Sequence, residues 1–130
     1  MNERYLFRGK RISEATDKTG KWITGYYTGC DNGVHYIKSD TTEYYSIDPD
    51  TLGQCTGLRD RNGTLIFEGD ILKWDKPDLR NPETLCGNVT LEYDFYKVCI
   101  DDSRWWFLSC VHDRGCEVIG NVYDVKADDA

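Results

Sequence analysis

Apolar and polar residues alternate along much of this chain with a period of two, which is the pattern of a β-strand with one buried face. The clearest example is the run from Val89 to Ile100, where Val, Leu, Tyr and Phe alternate with mostly polar residues. The phase of this run slips by one residue between Phe95 and Tyr96. Such a slip predicts a bulge or a tight reversal of the chain.

Turn signals separate this run from other short segments of strand-forming residues. Asn32-Gly33 and Asn62-Gly63 are typical of two-residue hairpin turns, which require positive φ angles. Gly69 is predicted to form a turn or bulge that leads into the next strand. The other predicted strands are residues 5–8, 22–28, 34–37, 42–47, 52–58, 64–67, 71–74, 105–108 and 117–123.

Two further segments interrupt the strand pattern, and helical signals are weak throughout. Residues 48–50, Asp-Pro-Asp, separate an N-terminal half from the rest, and residues 75–86, which contain Pro77 and Pro82, are predicted to be an irregular polar loop. Residues 18–21 are predicted to be a further turn, which joins the N-terminal strand to the strand that begins at Trp22. Short strands at regular spacing, with turn signals between them, predict an all-β barrel or sandwich.

Length and charge narrow the class of protein. The chain has 130 residues, enough for one domain or two small lobes, and its 13% aromatic content argues against intrinsic disorder. Its net charge of -7 disfavours broad, non-specific binding to DNA, although residues 1–21 carry more basic than acidic side chains. No apolar run suits a membrane span or a secretory signal, so we expect a cytoplasmic protein that does not bind membranes.

Several segments together resemble one known family. They include Tyr5-Leu-Phe-Arg-Gly-Lys10, Gly57-Leu-Arg-Asp-Arg-Asn-Gly63, Glu68-Gly-Asp-Ile71 and Cys116-Glu-Val-Ile-Gly-Asn-Val-Tyr123, in this order along the chain. The chain is thus similar to the YopX family of phage and prophage proteins. That resemblance implies a mainly β fold with a small SH3-like barrel in the later half, encoded on a phage or prophage genome, and it implies no activity.

The strand pattern and the resemblance together predict two parts. Residues 1–52 are expected to form an N-terminal β meander, packed on an SH3-like β barrel over residues 53–124. Residues 125–130, which are small and acidic, are expected to form a flexible tail.

The six cysteines and the acidic residues suggest little chemistry. No Cys-x-x-Cys pair occurs, and the weak candidates for a metal site are Cys110, His112 and Cys116, with Cys99 as a fourth ligand. We expect reduced thiols and no bound metal. No nucleotide-binding glycine loop is present, so no cofactor is predicted. We assign no catalytic residue, because the carboxylates of Glu68 and Asp70 flank a predicted structural glycine.

Two groups of residues are candidates for binding. Adjacent residues on a strand point to opposite faces, so Trp105 and Trp106 cannot both enter one core. The outward tryptophan either contacts a partner or lies beneath a second layer or another subunit. Arg8 and Arg11 lie in a basic segment that can contact nucleic acid, or else they belong to a solvated face whose alternation turns Tyr5 and Phe7 inward.

Three hypotheses of function follow from these features. The first is a phage or prophage accessory protein, without catalysis, that binds a host or phage protein or its own copies in the bacterial cytoplasm. The second is a nucleic-acid-binding module, for which the basic N-terminal segment is the evidence. The third is a hydrolytic enzyme of unknown type, which requires a pocket of clustered carboxylates or the group formed by Cys110, His112 and Cys116.

Overall fold

A computed structural model describes residues 3–12, 21–39, 43–76, 80 and 83–124. Most of the chain between residues 18 and 21 and all of the predicted tail over 125–130 lie outside these residues. The described residues form strands β1 (Leu6–Lys10), β2 (Trp22–Asp31), β3 (Val34–Lys38), β4 (Tyr44–Ile47), β5 (Gly53–Arg59), β6 (Leu65–Phe67), β7 (Asp70–Lys76), β8 (Glu83–Glu92), β9 (Phe95–Cys99), β10 (Trp105–Phe107) and β11 (Glu117–Asn121), with one α-helix, α1 (Leu108–Asp113).

The prediction of an all-β protein is confirmed, because the strands form two antiparallel sheets. Across the described ranges neither sheet closes on itself, so the SH3-like barrel is not confirmed. The chain divides into two compact units, Met1–Cys55 and Thr56–Ala130. Within the residues that the structure describes, no helix is long and apolar enough to cross a membrane.

The first unit is built on strands in the order β4-β3-β2-β1, and β1 also pairs with the start of β5. Its core contains Ile23, Ile37 and Ile47. The chain after β1 turns back towards β4, where Arg11 forms a bridge with Ile47. This unit therefore curls around its small isoleucine core.

The second unit contains a sheet in the order β10-β9-β8-β7-β11, while the last part of β5 lies beside β6. Trp74, Val89 and Val98 are fully buried in its core, together with other residues of the same cluster. Helix α1 was not predicted from the sequence. It buries Leu108 and Val111, which are three residues apart and therefore share one helix face.

The predicted loop over residues 75–86 is wrong at both of its ends. Strands β7 and β8 continue into it, with Asp75 opposite Thr84 and Lys76 opposite Glu83. The Thr84 hydroxyl donates a hydrogen bond of 2.9 Å to the Asp75 carboxylate. Ladder pairing therefore continues towards the two prolines, both of which lie outside the described residues.

The hairpin turns differ in their geometry. Asn32 and Gly33 have φ angles of 52° and 80° and form a two-residue turn. At Asn62-Gly63 only Gly63 has a positive φ, of 84°, and Asp60 pairs with Thr64 across a three-residue loop. This loop is the type I turn followed by a left-handed residue, so the predicted two-residue turn is corrected here.

The phase slip near Phe95 marks a tight reversal. Strands β8 and β9 pair from Glu92 and Phe95 onwards, so Tyr93 and Asp94 form the connecting turn. Tyr93 has a φ of 57°, a conformation that is uncommon for a bulky residue.

Candidate functional site

Three aromatic side chains share the outward face of β9 and β10, and we call them the aromatic patch: Phe95, Trp105 and Phe107. The ring centroids of Trp105 and Phe107 are 5.0 Å apart at an interplanar angle of 87°, and the Phe95 centroid lies 6.0 Å and 5.5 Å from them. Trp105 is 43% exposed and Phe107 49% exposed. The edge-to-face contact of Trp105 with Phe107 and the tilted contacts of Phe95 pack the three rings together, while much of the surface of Trp105 and Phe107 remains in water.

The strand geometry explains why these rings meet. In β10 the side chains of Trp105 and Phe107 point to one face, and Trp106 points to the other. Trp106 packs against the core, with its ring centroid 5.7 Å from that of Trp74. The two tryptophans therefore separate as the alternation predicts, with Trp105 outward and Trp106 inward.

A cation borders the patch. Lys97 lies directly opposite Phe107 in the β9–β10 pairing, and its Nζ is 5.4 Å from the centroid of the Trp105 ring. Lys97 also forms an ion pair with Glu92, whose hydrogen bond raises the pKa of the lysine. This side chain therefore stays protonated at neutral pH and lies over the tryptophan as a cation.

A pocket adjoins the aromatic patch. It has a volume of about 230 Å³ and is lined by Thr56, Leu58, Phe95, Tyr96, Phe107, Leu108 and Ser109. Two of these residues, Phe95 and Phe107, belong to the patch as well, so patch and pocket form one continuous apolar surface. This volume is below the range of roughly 300–1,000 Å³ that is usual for sites of drug-sized ligands. Its size suits a single large side chain.

The loop before β10 fixes the position of Trp105. The Asp101 carboxylate accepts hydrogen bonds from the backbone N–H of Ser103 and Arg104, and from the Arg104 side chain at 2.7 Å. The bond from the guanidinium group, followed by the backbone bond from Ser103, lowers the pKa of Asp101 to about 2. The loop is therefore held by an ionised aspartate at neutral pH.

The structure separates Arg8 from Arg11. Arg8 lies on the outward side of β1, with its Cζ 4.7 Å from the centroid of the Trp22 ring. Arg11 follows β1 on the opposite side of the chain, where its Cζ is 5.1 Å from the centroid of the Tyr45 ring. Phe7 packs inward as expected, but the inward orientation of Tyr5 is wrong, since this residue is exposed in a 3₁₀ turn before β1.

The weak metal candidates are also separated. Cys110 is exposed on α1, His112 is half-buried on the same helix, and Cys116 is buried in the core. Burial raises the pKa of the Cys116 thiol, which keeps it protonated. In the part of the chain that the structure describes, no three His, Cys, Asp or Glu side chains are placed to hold a metal ion.

Gly69 lies in the turn between β6 and β7 with a φ of 93°, and a Cβ there would be 2.7 Å from the Tyr123 ring. The neighbouring Asp70 is buried, and its carboxylate accepts a hydrogen bond of 2.8 Å from the backbone N–H of Phe67. This carboxylate therefore holds the turn together and does not line the pocket.

The sequence indicated Trp105 but missed Phe95 and Phe107 as members of the same surface. The alternation of these residues along each strand can be read from the sequence, but the register that aligns β9 with β10 cannot be predicted from it. A two-residue period identifies which residues share a face of one strand. It leaves open which residues of the next strand lie beside them.

The chain was compared with curated proteins and with models of protein families. No curated protein matches the chain significantly. The model of the YopX protein family matches residues 2–125, which is nearly the whole chain. The chain therefore belongs to the YopX protein family.

Proposed function

We propose that this protein is a phage-type accessory protein of the bacterial cytoplasm that acts without catalysis, by binding a partner protein through the aromatic patch and its pocket. The single observation that supports this proposal most is the continuity of the three rings with an apolar pocket of about 230 Å³. Tryptophan and its aromatic neighbours are enriched among the residues that dominate binding energy in protein interfaces.

The position of the patch in the sheet supports a protein as the partner. Among the described strands, β10 lies at the edge of its sheet and pairs with β9 alone. Edge strands accept an added strand from another chain through backbone hydrogen bonds, while neighbouring pockets select side chains. A partner segment that pairs with β10 and inserts one apolar side chain into the adjoining pocket, beside Phe95 and Phe107, fits both features.

The test compares two double variants. Trp105→Ser with Phe107→Ser removes the two exposed rings of the patch, and Ile119→Ser with Val122→Ser removes two apolar side chains of similar fractional exposure elsewhere in the same unit. Both variants and the native chain are immobilised and exposed to bacterial lysate, and the captured proteins are quantified by mass spectrometry. Circular dichroism and thermal unfolding establish that each variant is folded.

We expect one partner protein to be captured by the native chain and by the control variant, and to fall by about tenfold or more with the patch variant. Equal capture by all three chains contradicts the proposal. Sedimentation velocity gives a further decisive result. A native dimer that becomes a monomer only in the patch variant contradicts a foreign partner and identifies a second copy of this chain as the occupant.

A further inference from the structure

A second candidate surface lies in the first unit, on the outward side of its sheet. We call it the β1–β4 face and define it by Arg8, Lys10, Trp22, Tyr26, Lys38 and Tyr44. Directly paired residues share a face, and Lys10 pairs with Trp22, Tyr26 with Lys38, and Lys38 with Tyr44. Gly9, Ile23 and Ile37, which are sequence neighbours of these residues and point to the opposite face, are buried. The six side chains therefore point away from the isoleucine core.

Cations and rings on this face lie in contact with each other. The Trp22 ring has the Arg8 guanidinium carbon 4.7 Å from its centroid and the Lys10 Nζ 5.6 Å from it. Towards the β4 edge of the same face, the Lys38 Nζ is 5.6 Å from the Tyr44 centroid, and Tyr44 is 60% exposed. Such pairs place positive charge beside flat aromatic surfaces at two positions of one sheet.

The charge of this face is opposite to that of the whole chain. The protein carries a net charge of -7, whereas strands β1 to β4 contain three basic residues, Arg8, Lys10 and Lys38. Their one acidic residue is Asp31, which lies at the far end of β2, next to the Asn32-Gly33 turn. The face is therefore a local positive surface on an acidic protein, and it complements a polyanion.

We propose that the β1–β4 face is a binding site for single-stranded nucleic acid. Its cations contact phosphates, and Trp22 and Tyr44 provide rings on which unpaired bases stack. Proteins that bind single strands combine these same two elements, a positive surface and aromatic side chains. The site takes a short stretch of roughly four nucleotides, because it spans only four strands spaced about 4.8 Å apart.

The rings exclude other polyanions as the preferred ligand. In a duplex the base faces are stacked on each other, so they cannot stack on Trp22 or Tyr44. An acidic peptide supplies charge but lacks flat bases. This inference is independent of the proposed protein-binding function, because its residues belong to the first unit and the aromatic patch belongs to the second.

The experiment measures fluorescence anisotropy of a labelled oligothymidylate of about twelve nucleotides during titration with the full chain. A duplex of the same length and a labelled polyglutamate are titrated in parallel. We expect saturable binding of the single strand that weakens as salt rises, with a slope of about -0.7 per phosphate contact in a plot of log K against log salt. Binding of the duplex and of polyglutamate is expected to be at least about tenfold weaker.

Two variants separate charge from stacking. Lys38→Gln removes one cation, so it lowers the magnitude of the salt slope by about 0.7. Tyr44→Ser removes an exposed ring, so it weakens binding by about tenfold while leaving the salt slope unchanged. Lys73→Gln, at an exposed cation of the second unit, is the matched charge control and leaves both quantities near the native values.

Three outcomes overturn this inference. The first is no change in anisotropy up to about 100 µM protein at low salt. The second is equal affinity for the single strand, the duplex and polyglutamate, which indicates charge alone. The third is native binding by both Lys38→Gln and Tyr44→Ser, each shown to be folded by circular dichroism. The patch variant Trp105→Ser with Phe107→Ser binds the oligonucleotide like the native chain, which keeps failure here distinct from failure of the proposed function.

Discussion

At the scale of single residues, Asp60 connects two distant parts of the second unit. One oxygen of its carboxylate accepts hydrogen bonds of 2.9 Å from the backbone N–H groups of Asn62 and Thr64. The other oxygen accepts a bond of 2.9 Å from the N–H of Val118 in β11. Burial alone raises the pKa of this carboxyl, but the three backbone bonds and nearby Arg61 outweigh burial and lower it. Asp60 therefore needs its charge to hold the hairpin loop against β11.

Replacement of Asp60 by Asn is expected to reduce the free energy of unfolding at pH 7 by roughly 1.5–3 kcal/mol, because an amide group cannot accept all three bonds. Because the pKa of Asp60 is lower in the folded chain than in the unfolded chain, the ionised carboxylate stabilises the fold at pH values above about 4, the ordinary aspartate pKa. This stabilisation is lost as the pH falls through the pKa of Asp60 in the folded chain. The difference between Asp60→Asn and the native chain therefore shrinks in acid. Urea unfolding at several pH values measures this difference.

Asp94→Asn is the control for that experiment, because Asp94 is exposed in the turn between β8 and β9. It is expected to change the free energy of unfolding by less than about 0.5 kcal/mol. A constant difference between Asp60→Asn and the native chain from neutral to acidic pH contradicts the charge-based role of Asp60.

At the scale of elements, the curl of the first unit depends on close approach between β1 and β4. Gly9 of β1 is buried, and a Cβ at this position would collide with the Ile47 side chain of β4. The chain next to both residues is joined by a hydrogen bond of 2.9 Å from the backbone N–H of Asp48 to the carbonyl of Lys10. A side chain at position 9 would therefore push apart two elements that the backbone holds together.

Gly9→Ala is expected to lower the free energy of unfolding of the first unit by about 1–3 kcal/mol through this overpacking. Gly120→Ala, where a Cβ meets nothing within 4 Å, is the matched control and is expected to be close to neutral. Ile47→Ala with Gly9→Ala should be less destabilised than the sum of the single variants, since the smaller side chain makes room. Strictly additive effects would show that the two residues do not compete for the same space.

The strands can be predicted from the sequence, whereas the contacts between strands cannot. The alternation from Val89 to Ile100 and the Asn32-Gly33 signal depend on residues adjacent in sequence, so local propensity suffices to predict them. Helix α1 has six residues and is stabilised by burial of Leu108 and Val111, which is a tertiary effect that local signals do not report. The aromatic patch likewise depends on the register of β9 with β10. Pro77 and Pro82 led to the prediction of a loop over residues 75–86. Instead, the pairing of β7 with β8 extends into this segment, where Leu85 is paired with Trp74 and both side chains are buried.

At the scale of the whole molecule, the six cysteines are distributed so that each unit has both kinds of thiol. In the first unit Cys30 is exposed and Cys55 is buried. In the second unit Cys86 and Cys110 are exposed, Cys99 is half-buried and Cys116 is buried. Exposed thiols react through their thiolate form, whereas a buried thiol with a raised pKa, such as Cys116, reacts only after local opening. The rate at which the buried thiol of each unit is modified therefore measures how often that unit opens locally.

Timed alkylation followed by peptide mass spectrometry tests this distribution in the native chain. Cys30, Cys86 and Cys110 are expected to be labelled first, and Cys55 and Cys116 at least about tenfold more slowly, since modification of the buried pair requires opening of the fold. In concentrated urea all of them become labelled at similar rates, which controls for differences in intrinsic reactivity. Labelling of Cys116 as fast as Cys110 in the native chain would refute the placement of Cys116 in the core. Gly9→Ala should accelerate labelling of Cys55 and leave Cys116 unchanged, because the overpacked residue and Cys55 belong to the first unit.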